Sequence, residues 1–311
     1  MNISVSSGAQ PIRRKRGLLA ILVGSETDFE ARKAVWAYLF LTPWLLGLLI
    51  FVGGPIIASF FLGFTEYDVL SAPRWVRLQN YVQALTKDKL FWPALGKTFY
   101  FAVIVVPLGL VGSLGLAMLL NQRVRGTNIY RTMFFLPHLT PAVAMAILWM
   151  WLLNPEIGPF NYALTSLGLP KFPWLTNQKT VIPSLMLINL WSGMGGNNML
   201  IFLAGLQGVP AELYDAAAID GANNWSRFRH VTLPMISPSI LFNLILGIIG
   251  ALQVFTLAFV ATKGGPSYGS WFLALHIYQQ AFSYFRLGYA SALAWLFVLV
   301  LLILTLLNVR L

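Results

Sequence analysis

The sequence predicts an all-α polytopic membrane protein with about six transmembrane helices. Three observations carry that expectation. Hydrophobic residues form 58% of the 311 positions, charged residues only 10%, and six long apolar stretches recur along the chain. A soluble domain usually carries about 25% charge. A chain surrounded by membrane lipid has no such need, because hydrocarbon covers most of its surface.

Residues 1–35 read as a cytoplasmic N-terminal segment and residues 36–311 as the transmembrane domain. Arg13-Arg14-Lys15-Arg16 followed by Gly17–Gly24 has the charge and apolarity that open a signal peptide, but the apolar run is short, and Glu26, Asp28 and Glu30 follow it in place of a small-residue cleavage site. An uncleaved segment lying on the membrane surface is expected. A span needs about 20 apolar residues. On that measure spans are predicted at Trp36–Phe64, Phe99–Leu120, Thr132–Leu153, Val181–Leu206, Met235–Ala261 and Gly288–Asn308. The first is long enough to tilt, or to break at Pro43 or at Gly53-Gly54-Pro55. The third carries Pro137 and Pro141, which kink it or delay its start.

Six spans put both termini on one side. If that side is the cytoplasm it holds twelve of the 21 basic residues, densest just before the first span. The bias is modest, but the dense cluster favours cytoplasmic termini. The external segments are then Thr65–Thr98, Asn154–Thr180 and Thr262–Leu287, and the longest internal loop is Gln207–Pro234.

Several function classes are set aside at this point. The net charge of +11 is what basic residues flanking spans produce, and no aromatic and basic residues alternate on a platform for nucleic acid. The absence of cysteine excludes disulfides, thiolate metal sites and a cysteine nucleophile. His138, His230 and His276 fall in different segments, so no metal site is expected. All ten acidic residues lie in loops or the N-terminal segment. Gradient-driven secondary transporters commonly carry an ionisable group inside the membrane, so that alternative is disfavoured and the energy is expected from elsewhere. Gly96-Lys97-Thr98 has the ending of a phosphate-binding loop, but Phe91 stands where its first glycine belongs. Glu66 and Asp68 are the one external carboxylate pair that a membrane enzyme acting on saccharides could use. A solvated turn is the better explanation of them.

The internal loop carries the strongest signal. Pro210 stands at a first-turn position, Glu212 and Asp215 lie near the positive end of a helix, and Ala216-Ala217-Ala218 continue it. Gly221 ends that helix. A second short helix around Trp225–His230 leads to Leu233-Pro234. The predicted result is a helix-turn-helix with a small-residue surface, one carboxylate and a sharp turn, suited to docking in a partner's groove.

Asp215-Ala216-Ala217, Gly221 and Val231-x-Leu233-Pro234 resemble the EAA loop of the permease subunits of binding-protein-dependent ABC importers, with Asp for the usual Glu at 215 and Val for Ile at 231. Leu206-Gln207-x-x-Pro210, Tyr214, Ile219-Asp220-Gly221-Ala222, Thr262-Lys263-Gly264-Gly265-Pro266, Phe285-Arg286-Leu287-Gly288-Tyr289-Ala290-Ser291-Ala292, Asn80-Tyr81 and Leu152-Leu153-Asn154-Pro155 resemble the carbohydrate-uptake, maltose-permease-like branch. The resemblance runs from about residue 36 onward. It implies an ABC-importer permease fold with a cytoplasmic coupling loop at 207–234. It also implies that Asp215, Ala216, Ala217 and Gly221 engage an ATP-binding subunit; Arg227 and Arg229 read either as further contacts or as solvated loop charges. The chain itself would then be no enzyme and hold no cofactor. ATP and Mg would be bound by two partner ATPase subunits. A second, related permease chain and a periplasmic or extracellular solute-binding protein would complete the assembly, the latter docking on the three external segments.

Sugars are held by aromatic faces and by amide or hydroxyl hydrogen bonds. In the fourth span, Trp191, Asn197 and Asn198 flank Gly193, Gly195 and Gly196, which suggests either a broken helix lining a cavity or close helix packing. In the fifth span, Asn243, Gly247, Gly250 and Val254 follow helical spacing, with Gln253 beside them. By the resemblance this region corresponds to the family's sugar-contacting helix. Its small residues leave a wide path, which suits an oligosaccharide. Trp149, Trp151 and Trp295 read as interface anchors.

Overall fold

The computed structural model describes residues 28–122 and 125–310. The basic cluster at 13–16 lies outside the described residues. The chain divides into two compact units, Met1–Phe61 and Leu62–Leu311, each described here by itself.

The first unit is a helical rod. Helix α1 (Asp28–Leu48) passes through Pro43, widens into a π-helical turn over Leu49–Gly53, and continues as α2 (Gly54–Leu62). The sequence offered two places for a break, and the irregularity sits at the second. Pro55 has no N–H to give, and the helix accommodates it by widening. The Gly54 N–H reaches back five residues to the Leu49 carbonyl. The stretch Arg32–Leu62 is long and apolar enough to cross a bilayer, and none of its most apolar part is buried within the protein.

The second unit is organised around one long helix. A two-stranded ribbon, β1 (Thr65–Glu66) and β2 (Arg74–Trp75), is followed by α3 (Gln79–Thr86) and then by α4, which runs 30 residues from Phe91 to Leu120. Along α4 the buried residues Thr98, Phe101, Ala102, Val105, Val106, Ser113, Ala117 and Leu120 recur at helical spacing. They form the stripe by which a helix buries one face. Helices α8 (Val181–Met194), α9 (Asn197–Gln207) and α13 (Ser237–Leu252) pack on it. One core surrounds the first half of α4, and a second gathers Ala117, Leu120, Met199, Phe202, Leu203, Leu206 and Ile236 at its far end.

Among the described residues four helical stretches are long and apolar enough to cross a membrane by themselves, the fifth predicted span among them although it carries a short break, while the third and fourth are each divided into two shorter helices. The third becomes α5 (Thr127–Leu139) and α6 (Ala142–Leu152), bent by 93° where Thr140 turns extended before Pro141. The fourth is two short helices, α8 and α9, divided at Gly195-Gly196. Gly195 lies against the Phe134 carbonyl and Gly196 against the His138 ring, so neither position has room for a side chain. The fifth ends as a regular helix at Leu252 and resumes as α14 (Thr256–Ala261). Val254 therefore does not continue the helical face of Gly247 and Gly250.

Two further expectations are corrected. The stretch 262–287, read as an external connection, folds back into the core. Phe272, Leu273, Leu275 and His276 are buried, and Phe272 meets Phe101 edge to face at 5.4 Å. Its apolar run, in α15 (Leu273–Tyr278), is too short to have signalled a span. In the internal loop, α10 (Ala211–Ile219) is capped by Pro210 from outside the helix rather than begun by it. Its partner arm does not stop at His230. It runs from α11 (Asn224–Arg227) through a π-helical turn at Phe228–Thr232 to α12 (Leu233–Met235), directly before α13.

Helix α16 (Leu287–Arg310) starts against the ribbon. The Gly288 N–H donates to Tyr67 O at 3.2 Å, and a Cβ at Gly288 would sit 2.0 Å from Thr65 O. Any side chain there must push the helix off the strand. Gly288→Val is expected to destabilise the detergent-solubilised protein by about 1–3 kcal/mol, as overpacking does, seen as a lower thermal midpoint. An unchanged midpoint would show that this junction gives way freely.

Candidate functional site

The elbow between α9 and α13 is a closed piece of hydrogen bonding. Gly221 sits at φ +75°, the left-handed conformation that glycine adopts at no steric cost. The Ala222 N–H bonds Ala217 O at 2.9 Å and the Gly221 N–H bonds Ala218 O at 3.1 Å. Together these make the Schellman closure of a helix C-terminus. Asn223 then caps the second arm by accepting the Ser226 N–H at 2.8 Å. The Arg227 Nε donates to Ala222 O at 3.0 Å, tying the second arm to the turn. Tyr214 and Thr232 join the two arms through their hydroxyls at 3.0 Å.

Between the arms lies a recess of about 640 Å³ with Ala216, Ala217 and Gly221 on its wall. Asp215 is exposed beside it. The sequence reading missed two large apolar side chains at this elbow: Ile219 is 87% exposed and Trp225 67%. A polar loop gains nothing by presenting them to water, so their apolarity in a loop was itself a signal. Surface of this kind marks a contact site.

A second recess, about 230 Å³, opens between α4, α8, α9 and α13. Of the candidates for a substrate path, Asn198, Gly247 and Gly250 line it, joined by Asn189, Gly193 and Gly109. The side chains of Asn189 and Asn198 make no hydrogen bond among the described residues, so their amides are available to the space. The other candidates fall elsewhere. Trp191 is 61% exposed and stands edge to face with Trp149 at 6.1 Å. Asn197 and Gln253 are exposed, and Val254 is buried in the helix break. Asn243 is fully buried, its Nδ2 donating to Asn198 O at 3.3 Å, which ties α13 to α9.

At the start of α4 a buried polar cluster joins three segments. Asp88 Oδ2 accepts from the Tyr289 hydroxyl at 2.6 Å and lies 2.8 Å from His276 Nε2, while its Oδ1 accepts the Leu90 N–H at 2.8 Å. Trp271 Nε1 donates to His276 Nδ1 at 3.1 Å. An indole N–H only donates, so Nδ1 is the acceptor and Nε2 carries the hydrogen toward Asp88. Burial pushes the Asp88 carboxyl up, but hydrogen bonds from Tyr289, Leu90 and His276 outweigh it and hold the group below the usual carboxylate range.

The decoys have structural roles. Lys97 lies within α4 and donates to Tyr268 O at 2.6 Å, while Thr98 accepts the Leu273 N–H at 3.0 Å. Glu66 pairs with Arg74 across the ribbon, and Asp68 accepts the Ser71 hydroxyl and the Ser71 and Leu70 N–H groups. No group of three potential metal ligands gathers among the described residues.

The family described as "Binding-protein-dependent transport system inner membrane component" matches residues 109–311. A probable ABC transporter permease protein of Bacillus subtilis (strain 168), YesP, is 40% identical over 86% of this chain and 87% of its own length. The arabinooligosaccharides transport system permease protein AraP of the same organism is 34% identical over 91% and 90%. A chain of the bacterial ABC transporter that imports the acidic polysaccharide alginate superposes with a TM-score of 0.80, covering 90% of this chain and 96% of that one at 23% identity. At that identity the likeness is one of fold.

A carboxyl held low by folding stabilises the folded state above its unfolded pKa, about 3.9, and that stability is lost as pH falls through the lower folded value. The thermal midpoint is therefore expected to drop on acidification below about pH 4, and Asp88→Asn to flatten that drop. An identical acid profile for both proteins would remove Asp88 from the account.

Proposed function

This chain belongs to the family of binding-protein-dependent transport system inner membrane components, and from that premise we propose that it is one transmembrane subunit of an ATP-driven importer of a carbohydrate, an oligosaccharide, delivered by an external solute-binding protein. A second, related permease chain forms the other half of the pore. Two separate subunits bind ATP and Mg and perform the hydrolysis. The elbow and both termini face the cytoplasm. The carbohydrate cargo is supported by the arabinooligosaccharide system for which one of the relatives is named.

The observation that carries the reading is the elbow: a hydrogen-bonded joint presenting Ala216, Ala217, exposed Ile219 and Trp225, attached directly to α9 and α13. Those two helices hold Asn198, Gly247 and Gly250, three walls of the recess against α4. Docked on an ATP-binding subunit, the elbow is a lever. When the neighbour closes on ATP, the elbow shifts, and α9 and α13 shift with it relative to α4. The recess widens or narrows without any proton or ion moving through the chain. Asp215 supplies a polar contact at the docking face, the alanines permit close approach, and Gly221 fixes the turn.

Purification of the assembled complex tests this. Deleting residues Asp215–Gly221 is expected to abolish capture of the ATP-binding subunit. Gly221→Val, which forces a β-branched residue into a left-handed conformation at a cost of about 1–2 kcal/mol, is expected to weaken capture. An undiminished complex after the deletion would overturn the reading. A Cβ at Gly250 meets no atom within 4 Å, so Gly250→Leu is expected to leave assembly intact while lowering sugar uptake several-fold in reconstituted vesicles.

A further inference from the structure

A cavity of about 1210 Å³ lies beside the ribbon, between the segment 66–87 and the start of α16. Four basic residues line it: Arg74, Arg77, Lys87 and Arg286. Three of them lie within one segment, 74–87, and folding brings Arg286 to the same space. Two carboxylates share the lining, and both are occupied. Glu66 is taken by Arg74, and Asp68 is spent on the hydroxyl and N–H groups of its own turn. Arg77 and Lys87 make no ion pair among the described residues. Arg286 stacks its guanidinium over Tyr289, 4.7 Å from the ring centroid. Three cations therefore face the cavity without an anion.

Backbone conformation points the same way. Arg77 lies at φ +55°, and Phe285, the residue before Arg286, at φ +53°. Residues with side chains avoid this region, and such positions persist where the surroundings hold them, commonly at binding sites. Two separate turns adopt it, and each delivers a guanidinium to the same space. The remaining lining suits hydroxyl-rich ligands: Gln79 and Gln83 offer amides, and Tyr67 and Tyr284 offer rings and hydroxyls. Pockets for single small ligands measure about 300–1,000 Å³, so this one has room for several sugar rings. It also stands at the opposite end of α4 from the elbow, which at 1.5 Å per residue is about 45 Å away.

We propose that this cavity is an entry site for an acidic oligosaccharide, whose carboxylates pair with Arg77, Lys87 and Arg286 before the chain passes to the recess at Asn198. The inference rests on the saccharide-importer reading and names the charge of its cargo. Guanidinium groups hold carboxylates in a two-bond fork, while the glutamines and tyrosines take the hydroxyls. A neutral saccharide would keep the hydroxyl contacts and lose the ionic ones.

Calorimetric titration of the purified complex decides it, with a linear β-1,4-tetramannuronate as the acidic probe and mannotetraose, the same backbone without carboxylates, as the neutral one. The expected result is binding of the acid at least tenfold tighter than of the neutral sugar, weakening with added salt. The Arg77→Gln/Lys87→Gln double variant, and separately Arg286→Gln, should lose at least tenfold of that affinity while keeping the thermal midpoint and the captured ATP-binding subunit. Equal binding of both sugars, binding of neither, or unchanged affinity in the variants would overturn the proposal. So would co-purification of anionic lipid with the wild type but not the variants, without tetramannuronate binding, which would give the cations to headgroups. The elbow deletion reads out on subunit capture alone, so failure of the importer reading and failure of this site are seen in different measurements.

Discussion

A peptide group that enters hydrocarbon must find its hydrogen bond inside the protein, and that constraint governs where this chain interrupts its helices. The break at Gly195-Gly196 is pressed against α5, and the break at Gln253–Phe255 surrounds a buried Val254. Even Pro55 is handled within the helix, by a wider turn that keeps a bond from Gly54 to Leu49. The longest continuous helix of the core, α4, is the surface on which the broken ones pack.

That arrangement separates support from motion. α4 meets the polar clamp of Asp88, His276 and Tyr289 at one end and the second apolar cluster at the other. The helices that carry Asn198, Gly247 and Gly250 are short or interrupted, and both run into the elbow. On the proposed lever reading, a displacement at the elbow would act on these short segments, beside a helix packed at both ends.

Much of this was legible in the residues. Long apolar runs announced the spans, because the hydrophobic thickness of a bilayer sets a length that sequence displays directly. The elbow was readable down to its turn, since Gly221 following an alanine-rich helix is a local signal and the closure it makes is local. What stayed hidden depends on tertiary structure. The fold-back of 271–283 into the core rests on a run too short to declare itself, and its burial comes from partners such as Phe101, far away in sequence. The helical face drawn through Asn243, Gly247, Gly250 and Val254 assumed a helix that stops at Leu252. Arg227 read as a partner contact or a solvated charge, and its bond to the Ala222 carbonyl exists only once the turn between them has formed. That Arg286 joins Arg77 and Lys87 depends on tertiary structure, because roughly 200 residues separate it from them.

The elbow's bonding has a mechanical corollary. Four hydrogen bonds cross or close a joint of about twenty residues, and one of them, between Tyr214 and Thr232, spans the fork like a strut. A linkage braced in this way has little backlash. Small strokes applied at its tip reach the two attached rods nearly undiminished, so the fidelity of transmission is set by how firmly the tip is gripped rather than by slack within the joint.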